Sequence, residues 1–355
     1  MKKGAISLLV ASWFLAACAD NSVQQTQKLL NKTSIVSTQQ PIFPVSMGNL
    51  AKSEEERFAL FIDYLKQRAL EEGIQADTVD SAFTNVTLLK RVISSDKNQL
   101  EKKVLLDDYL TRVLTPTKKR MAGEKYLEEQ ALLERTAKQY GVPANYIVAL
   151  WGMESNFGRL QGRENIISAM ASLAFEGRRE IFFTKQLMYA LQIVDGGHRS
   201  VENLKGSWAG AMGQCQFMPS SFISYGADGD GDGVIDIWSN RADVFASIAN
   251  YLKTEGWQSK EGWGHEATLP AKFDRDLIGL ESDKGRTVKE WQKLGVTVPT
   301  LTKGEAATMA WIIEPDDGLD RAFIVYQNFK TIMHWNRSFY FALSIGMLAD
   351  TIPTR

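Results

Sequence analysis

The sequence predicts a mostly α protein with a minor β part (α+β). Three observations carry that reading. Apolar residues recur at helical spacing through much of residues 53–254 and again over 336–349. Between 263 and 330 the pattern changes to short, β-branched runs punctuated by proline. Hydrophobic residues make up 44% of the 355 residues and charged residues 23%, a globular composition that excludes collagen-like and wholly disordered chains. Lys plus Arg is 41 and Asp plus Glu is 42, so a net charge of −1 argues against nucleic-acid binding through bulk charge. Three His and two Cys leave little material for a zinc site.

Residues 1–17 read as a signal peptide. Lys2 and Lys3 form a positive head, and Ala5 to Ala17 is apolar apart from Ser7 and Ser12, too short to span a bilayer comfortably. Leu15-Ala16-Ala17-Cys18 resembles a bacterial lipoprotein signal, with cleavage before Cys18 and lipid on its thiol; an ordinary secretory signal with an incidental Cys is the alternative. Ala19, not Asp, follows the Cys, which by resemblance to Gram-negative lipoproteins favours the periplasmic side of the outer membrane. With Cys18 lipidated, Cys215 has no partner in the chain and no internal disulfide is expected. Anchoring is then by lipid, with a soluble body.

Residues 18–50, rich in Ser, Gln, Thr and Asn, read as a flexible tether. A helical lobe follows over 51–135. Ser53-Glu54-Glu55-Glu56 is an N-cap with an acidic first turn, and Phe58, Phe61 and Leu65 fall at helical spacing. Residues 136–262 form the next region. A helix over 124–140 is stopped by Gly141, and Pro143 starts another. Helices also fit 180–194 and 241–254. A small β lobe occupies 263–330, with strands expected over 267–273, 296–301 and 322–326. A C-terminal helical segment, 331–355, ends the chain, and no separate C-terminal binding module is visible.

On the helix begun at Pro143, Ile147, Leu150, Trp151 and Glu154 fall on one face. A carboxylate on an apolar stripe is desolvated, its pKa rises, and it suits a general acid. A helix that frays before Glu154, or a pairing with Arg159, would remove that role.

Tyr140-Gly141-Val142-Pro143, Gly152-Met153-Glu154, Arg178-Arg179 before Phe182-Phe183, the block from Ala209-Gly210-Ala211-Met212-Gly213 through Gln214-Cys215-Gln216-Phe217 to Pro219-Ser220-Ser221, Ala249-Asn250-Tyr251, and Trp335-Asn336-Arg337-Ser338 occur in that order. Together they resemble the membrane-bound lytic murein transglycosylase B family, from about residue 55 to the C-terminus. The resemblance implies a lysozyme-like catalytic core over 136–262, completed by the C-terminal helix. It implies cleavage of the β-1,4 bond between N-acetylmuramic acid and N-acetylglucosamine of peptidoglycan, with a 1,6-anhydro end formed in place of hydrolysis. It assigns the acid and base roles to Glu154 and lines the sugar cleft with Ser207, Gln216, Tyr251 and Asn336, whose hydroxyls, amides and ring suit neutral hydrogen bonds and stacking. Read singly, Ser207 is equally a loop residue, Tyr251 a core aromatic and Asn336 a helix cap. The small residues of 209–213 permit either close approach of a ligand or close internal packing. Arg178 and Arg179 are equally stem-peptide contacts or solvated helix charges. Cys215, inside the cleft motif, predicts inhibition by thiol reagents.

Asp228, Asp230, Asp232, Gly233, Val234 and Asp236 match positions 1, 3, 5, 6, 7 and 9 of an EF-hand loop. Position 12 is Ser239, not Glu; Asp243 can close the site from the next helix, which the resemblance supports although the segment before Asp243 is slightly longer here. The loop, 228–243, is expected to hold a structural Ca2+, with no cofactor for catalysis; a solvated acidic turn is the alternative. The expected partners are peptidoglycan strands, a membrane through the lipid, and proteins of cell-wall synthesis or division, with a monomeric enzyme. Two other functions remain open: a hydrolytic muramidase, which needs a second carboxylate such as Glu164, Asp195 or Asp236, and a non-catalytic peptidoglycan-binding lipoprotein. Gly-x-Ser-x-Gly, HExxH and P-loop motifs are absent.

Overall fold

The computed structural model describes residues 53–98, 104–298, 301, 304–315 and 321–354. The signal peptide 1–17, the tether 18–50 and Cys18 lie outside them. The described residues carry fourteen α-helices and six short strands. No helix among them is long and apolar enough to cross a membrane. They form two compact units. The first takes the described residues before 99 and Glu154–Ser247; the second takes those from 104 to Met153 and from Ile248 onward. The units therefore interleave along the chain, and two helices run from one into the other.

In the first unit α1 (Glu54–Glu71) starts at a capping box: Ser53 Oγ accepts from Glu56 N–H and the Glu56 carboxylate from Ser53 N–H, both at 3.1 Å. Its Phe58, Phe61, Ile62 and Leu65 are buried. Each such side chain contributes about 1.5–3 kcal/mol. Helices α2 (Ala76–Phe83) and α3 (Lys90–Lys97) follow. The centre is α8 (Ile166–Glu176), buried from Ile166 to Ala174, packed against α9 (Glu180–Asp195). Asn165 caps α8 through a 2.9 Å bond from Ser168 N–H, and Gly177, at φ 94°, ends it. Helix α10 (Pro219–Tyr225) packs on α9.

The second unit holds α4 (Leu106–Val113), α5 (Pro116–Glu128) and α6 (Gln130–Tyr140). The sequence suggests one helix over 124–140. The structure breaks it at Glu129 (φ −107°, ψ 13°), and Gly141, left-handed at φ 72°, stops the second piece as expected. A four-stranded antiparallel sheet runs β3 (Gly264–Ala267), β6 (Ala322–Val325), β5 (Met309–Ile313), β4 (Arg286–Thr287). Its core packs Trp291, Val288, Ile312 and Ile324, and Trp291 Nε1 donates to the Ala310 carbonyl at 3.0 Å. The expected 322–326 strand is present as β6, one residue shorter, whereas of the expected 267–273 strand only Ala267 lies in a strand, at the end of β3. The 296–301 run supplies only an isolated Thr297–Thr268 bridge, and β5, a continuous apolar run, has no alternation to announce it. Helix α12 (Val288–Lys293) opens on a Thr287–Glu290 capping box. Helices α13 (Gln327–Trp335) and α14 (Phe339–Ala349) close the chain; Ser338, not Asn336, caps α14.

Candidate active site

Helix α7 (Ala144–Ser155) crosses from the second unit into the first. Ile147 through Trp151 are all fully buried, so the helix is apolar all round and not on one stripe. Glu154 sits one residue before its end and is half-buried. The expectation that it lies on a buried face is met only in part: the helix emerges from the core as it reaches Glu154. The chain then turns through three consecutive left-handed residues, Asn156 (φ 50°), Phe157 (φ 58°) and Gly158 (φ 80°). For the two non-glycine residues this conformation costs about 1–2 kcal/mol each. Ser155 Oγ accepts from Gly158 N–H at 3.0 Å, and Leu160 N–H donates to the Ser155 carbonyl at 2.8 Å, closing the turn.

Two predicted cleft residues of the first unit flank the segment leaving Glu154. Gln216 is buried and left-handed (φ 51°); its Nε2 donates to Gly213 O at 2.8 Å and to Gln161 O at 3.3 Å. Ser207 follows β2 (Lys205–Gly206), which pairs with β1 (Glu164–Asn165) directly downstream of that segment. Its Oγ accepts from Ala211 N–H at 3.0 Å. Gly162 lies so close to the Gly206–Ser207 peptide that a Cβ there would overlap it. Gly213 likewise lies against Ile237, its missing Cβ 2.6 Å from that carbonyl oxygen. Within the 209–213 run, Gly213 thus serves internal packing.

Cys215 is fully buried, with Sγ 3.6 Å from the Val244 carbonyl. Burial, with the charges of Glu154 and Asp243 nearby, pushes its thiol well above the usual range. The expected sensitivity to thiol reagents is therefore not supported: the group is neither accessible nor ionised.

The second unit holds the other two candidates. Tyr251, on α11 (Arg241–Thr254), is buried with its ring 4.6 Å from that of Trp335. Asn336 is buried at the C-terminal end of α13, in extended conformation, and its N–H donates to Ile332 O at 3.3 Å.

The carboxylates a hydrolase would recruit all have structural partners. Glu164 pairs with Arg91. Asp195 accepts from Thr78 Oγ1 at 2.7 Å and Gln75 N–H at 3.2 Å. Asp236 accepts from Trp238 N–H at 2.8 Å, from Ser239, and from Arg199 at 3.5 Å. Arg178 and Arg179 both bind the buried Asp96 carboxylate, and Arg179 stacks 4.6 Å over the Phe183 ring.

Carboxylate oxygens of Asp228, Asp230 and Asp232 lie within 4.8 Å of one another. Gly231 (φ 83°) and Gly233 (φ 90°) supply the left-handed turns, and Gly233 and Gly231 N–H hold Asp228 at 2.8 and 2.6 Å. Asp243 is buried and accepts from Gly229 N–H at 2.8 Å and Asp236 N–H at 2.7 Å, which folds the loop over the start of α11. Several hard oxygens on one loop are a donor set that suits Ca2+.

The transglycosylase SLT domain family matches residues 57–350. The chain belongs to that family. Membrane-bound lytic murein transglycosylase B of Escherichia coli is 30% identical over 246 residues, covering 69% of this chain and 66% of that protein. SltB3 of Pseudomonas aeruginosa, solved in complex with NAG-anhNAM-pentapeptide, is 39% identical with a TM-score of 0.79, over 82% of this chain and 78% of that one. The E. coli lytic transglycosylase SLT35, solved in complex with calcium, is 27% identical with a TM-score of 0.69, over 83% of this chain and 92% of that one. The fold is therefore that of lysozyme-like lytic transglycosylases. In this member of the SLT family, sequence reasoning passed over Gln161, whose Nε2 donates to Gly158 O at 3.0 Å and Trp238 O at 3.1 Å. A polar residue three beyond the turn glycine is its only sequence signal.

Proposed function

We infer that the chain is a lytic transglycosylase that cleaves the β-1,4 MurNAc–GlcNAc bond of peptidoglycan and leaves 1,6-anhydro-MurNAc ends. The observation that carries this is a half-buried Glu154 at the end of α7, while Glu164, Asp195 and Asp236, the carboxylates a hydrolase would recruit, are each held by other groups. The family and the anhydro-sugar complex of SltB3 support it. Protonated Glu154 gives its proton to the leaving glycosidic oxygen as the C1–O bond breaks. The C6 hydroxyl of the same muramic acid then bonds to C1 and returns its proton to Glu154. No water is consumed and the acid is regenerated. The nucleophile is part of the substrate and is held at high effective concentration, so a second protein carboxylate is not needed. The substrate's acetamido group can stabilise the oxocarbenium-like centre.

Ser207, Gln216, Tyr251 and Asn336 bind the glycan. Asp228, Asp230, Asp232, the Val234 carbonyl and Asp243 hold a structural Ca2+, which braces the loop and supplies no step of the reaction. The relative's membrane-bound name supports an envelope location. The finer reading is a lipid on Cys18 that places the enzyme on the periplasmic side of the outer membrane, as a monomer working beside cell-wall synthesis or division proteins.

The test is digestion of purified sacculi by the protein lacking residues 1–18, beside Glu154→Gln. Anhydro-muropeptides, one water lighter than hydrolysis products and absent with the variant, are expected. Reducing-end products alone would mean a muramidase. Binding without cleavage by both proteins would mean a binding module.

A further inference from the structure

The strained turn after Glu154 is held by two residues outside the expected site. Left-handed conformations at Asn156 and Phe157 persist only where the surroundings over-determine them. Phe157 is 3% exposed and Ser155 fully buried, so part of the restraint is local. The rest comes from Gln214, 2% exposed, which lies flush against Gly158. A Cβ on Gly158 would stand 2.7 Å from Gln214 Cδ and 3.3 Å from Arg241 Nη1. The Gln214 amide is fixed at both ends: Nε2 donates to Trp238 O at 2.8 Å, and Oε1 accepts from Arg241 Nη1. Arg241 opens α11, so its guanidinium is anchored to a helix start. Trp238 O also receives Gln161 Nε2, which reaches Gly158 O as well. The circuit Gly158–Gln214–Trp238–Gln161 thus closes on the turn, with a charge-assisted bond from Arg241 orienting the one amide at its centre.

We propose that Gln214 and Arg241 are a positioning pair for Glu154: the Arg241-oriented Gln214 amide braces the Asn156–Gly158 turn and so sets where the Glu154 carboxyl stands. This rests on Glu154 being the acid and base. Neither residue touches the substrate in this account. Truncating Gln214 opens the space that confines Gly158. Truncating Arg241 lets the amide rotate. In either case the turn relaxes and the carboxyl moves, and a misplacement of about 1 Å costs up to about a hundredfold in turnover.

The test compares Gln214→Ala, Arg241→Ala, the double variant, Arg241→Lys and Glu154→Gln by release of anhydro-muropeptides from sacculi, well below each melting temperature. Gln214→Met, which keeps the volume and loses the amide, substitutes if Gln214→Ala fails to fold. The clamp predicts that kcat falls about tenfold or more with KM within about twofold for either single variant. The double variant should be no worse than the worse single, because both break one device. Arg241→Lys, which keeps a cationic donor, should recover part of kcat. The Ca2+-induced rise in melting temperature, read on each variant, should persist, separating the clamp from damage to the neighbouring loop. Wild-type kcat in both singles, or losses that multiply in the double, would overturn the clamp while inactive Glu154→Gln leaves the acid/base reading standing. Cleavage by Glu154→Gln would remove that reading and the clamp with it.

Discussion

Removing the Asp96 carboxylate decides what Arg178 and Arg179 are for. In Asp96→Ala two guanidinium groups lose their common acceptor. The Asp96 side chain is 3% exposed, Arg179 16% and Arg178 53%. Arg178 can turn into water at little cost. Arg179 is left as a poorly hydrated charge, and deleting one member of a buried pair costs about 3–5 kcal/mol. The face of Phe183 keeps part of Arg179 stabilised, and Asp96 stands in the last turn of α3, where its charge opposes the helix dipole. Both effects point to the lower end, about 3 kcal/mol. For a chain of 355 residues that is roughly 4 °C in melting temperature. The assay pairs a thermal melt with sacculus digestion at a temperature where the variant is folded. The expected result is a lower melting temperature with an unchanged rate per folded molecule. An unchanged melting temperature together with weaker cleavage of peptide-bearing strands would refute the reasoning and return the arginines to the stem peptide.

Other outcomes follow from the same structure. Burial raises the Asp350 carboxyl above the usual carboxylate range, more than the 2.9 Å bond from Trp263 Nε1 lowers it. A raised folded-state value means the group adds stability at acid pH that is lost as pH climbs from the unfolded value through the folded one. Asp350→Asn, which keeps an acceptor for Trp263, should therefore raise the melting temperature at pH 7 and lose that advantage at strongly acid pH; a pH series of melts checks it. Calcium at a hundred times its Kd should stabilise by about 2.7 kcal/mol, an effect that calorimetry and melts should find missing in Asp228→Asn/Asp232→Asn. Cys215 should resist iodoacetamide in the native protein and react fully in denaturant, read by mass; modification at the native state would contradict its burial.

Much of the site is legible because its signals are local. The Ser53 capping box, the Gly141 stop, the Asp228–Asp236 spacing and the placement of Glu154 on the helix that follows Pro143 each depend on residues within a turn or two of one another. The ordered motifs also carried the family. Misreadings fall where a partner is distant in sequence. Glu129 breaks a helix with neither Gly nor Pro at the break. A continuous apolar run became β5 because it is paired on both sides. The alternative reading of Asn336 as a helix cap is closed by Ser338, whose Oγ accepts from Phe341 N–H.

The sequence by itself determined the mostly helical class, the candidate acid, the acidic loop and the family, since periodicity, capping and motif order are properties of neighbours along the chain. Only the tertiary structure decided that Arg178 and Arg179 bind Asp96, that Cys215 is sealed, and that Gln214 meets Gly158 and Arg241. Those contacts join residues tens of positions apart. Which of many polar side chains meets which is set by close packing of the whole unit, where each buried donor and acceptor must find a partner, and no local rule encodes that choice.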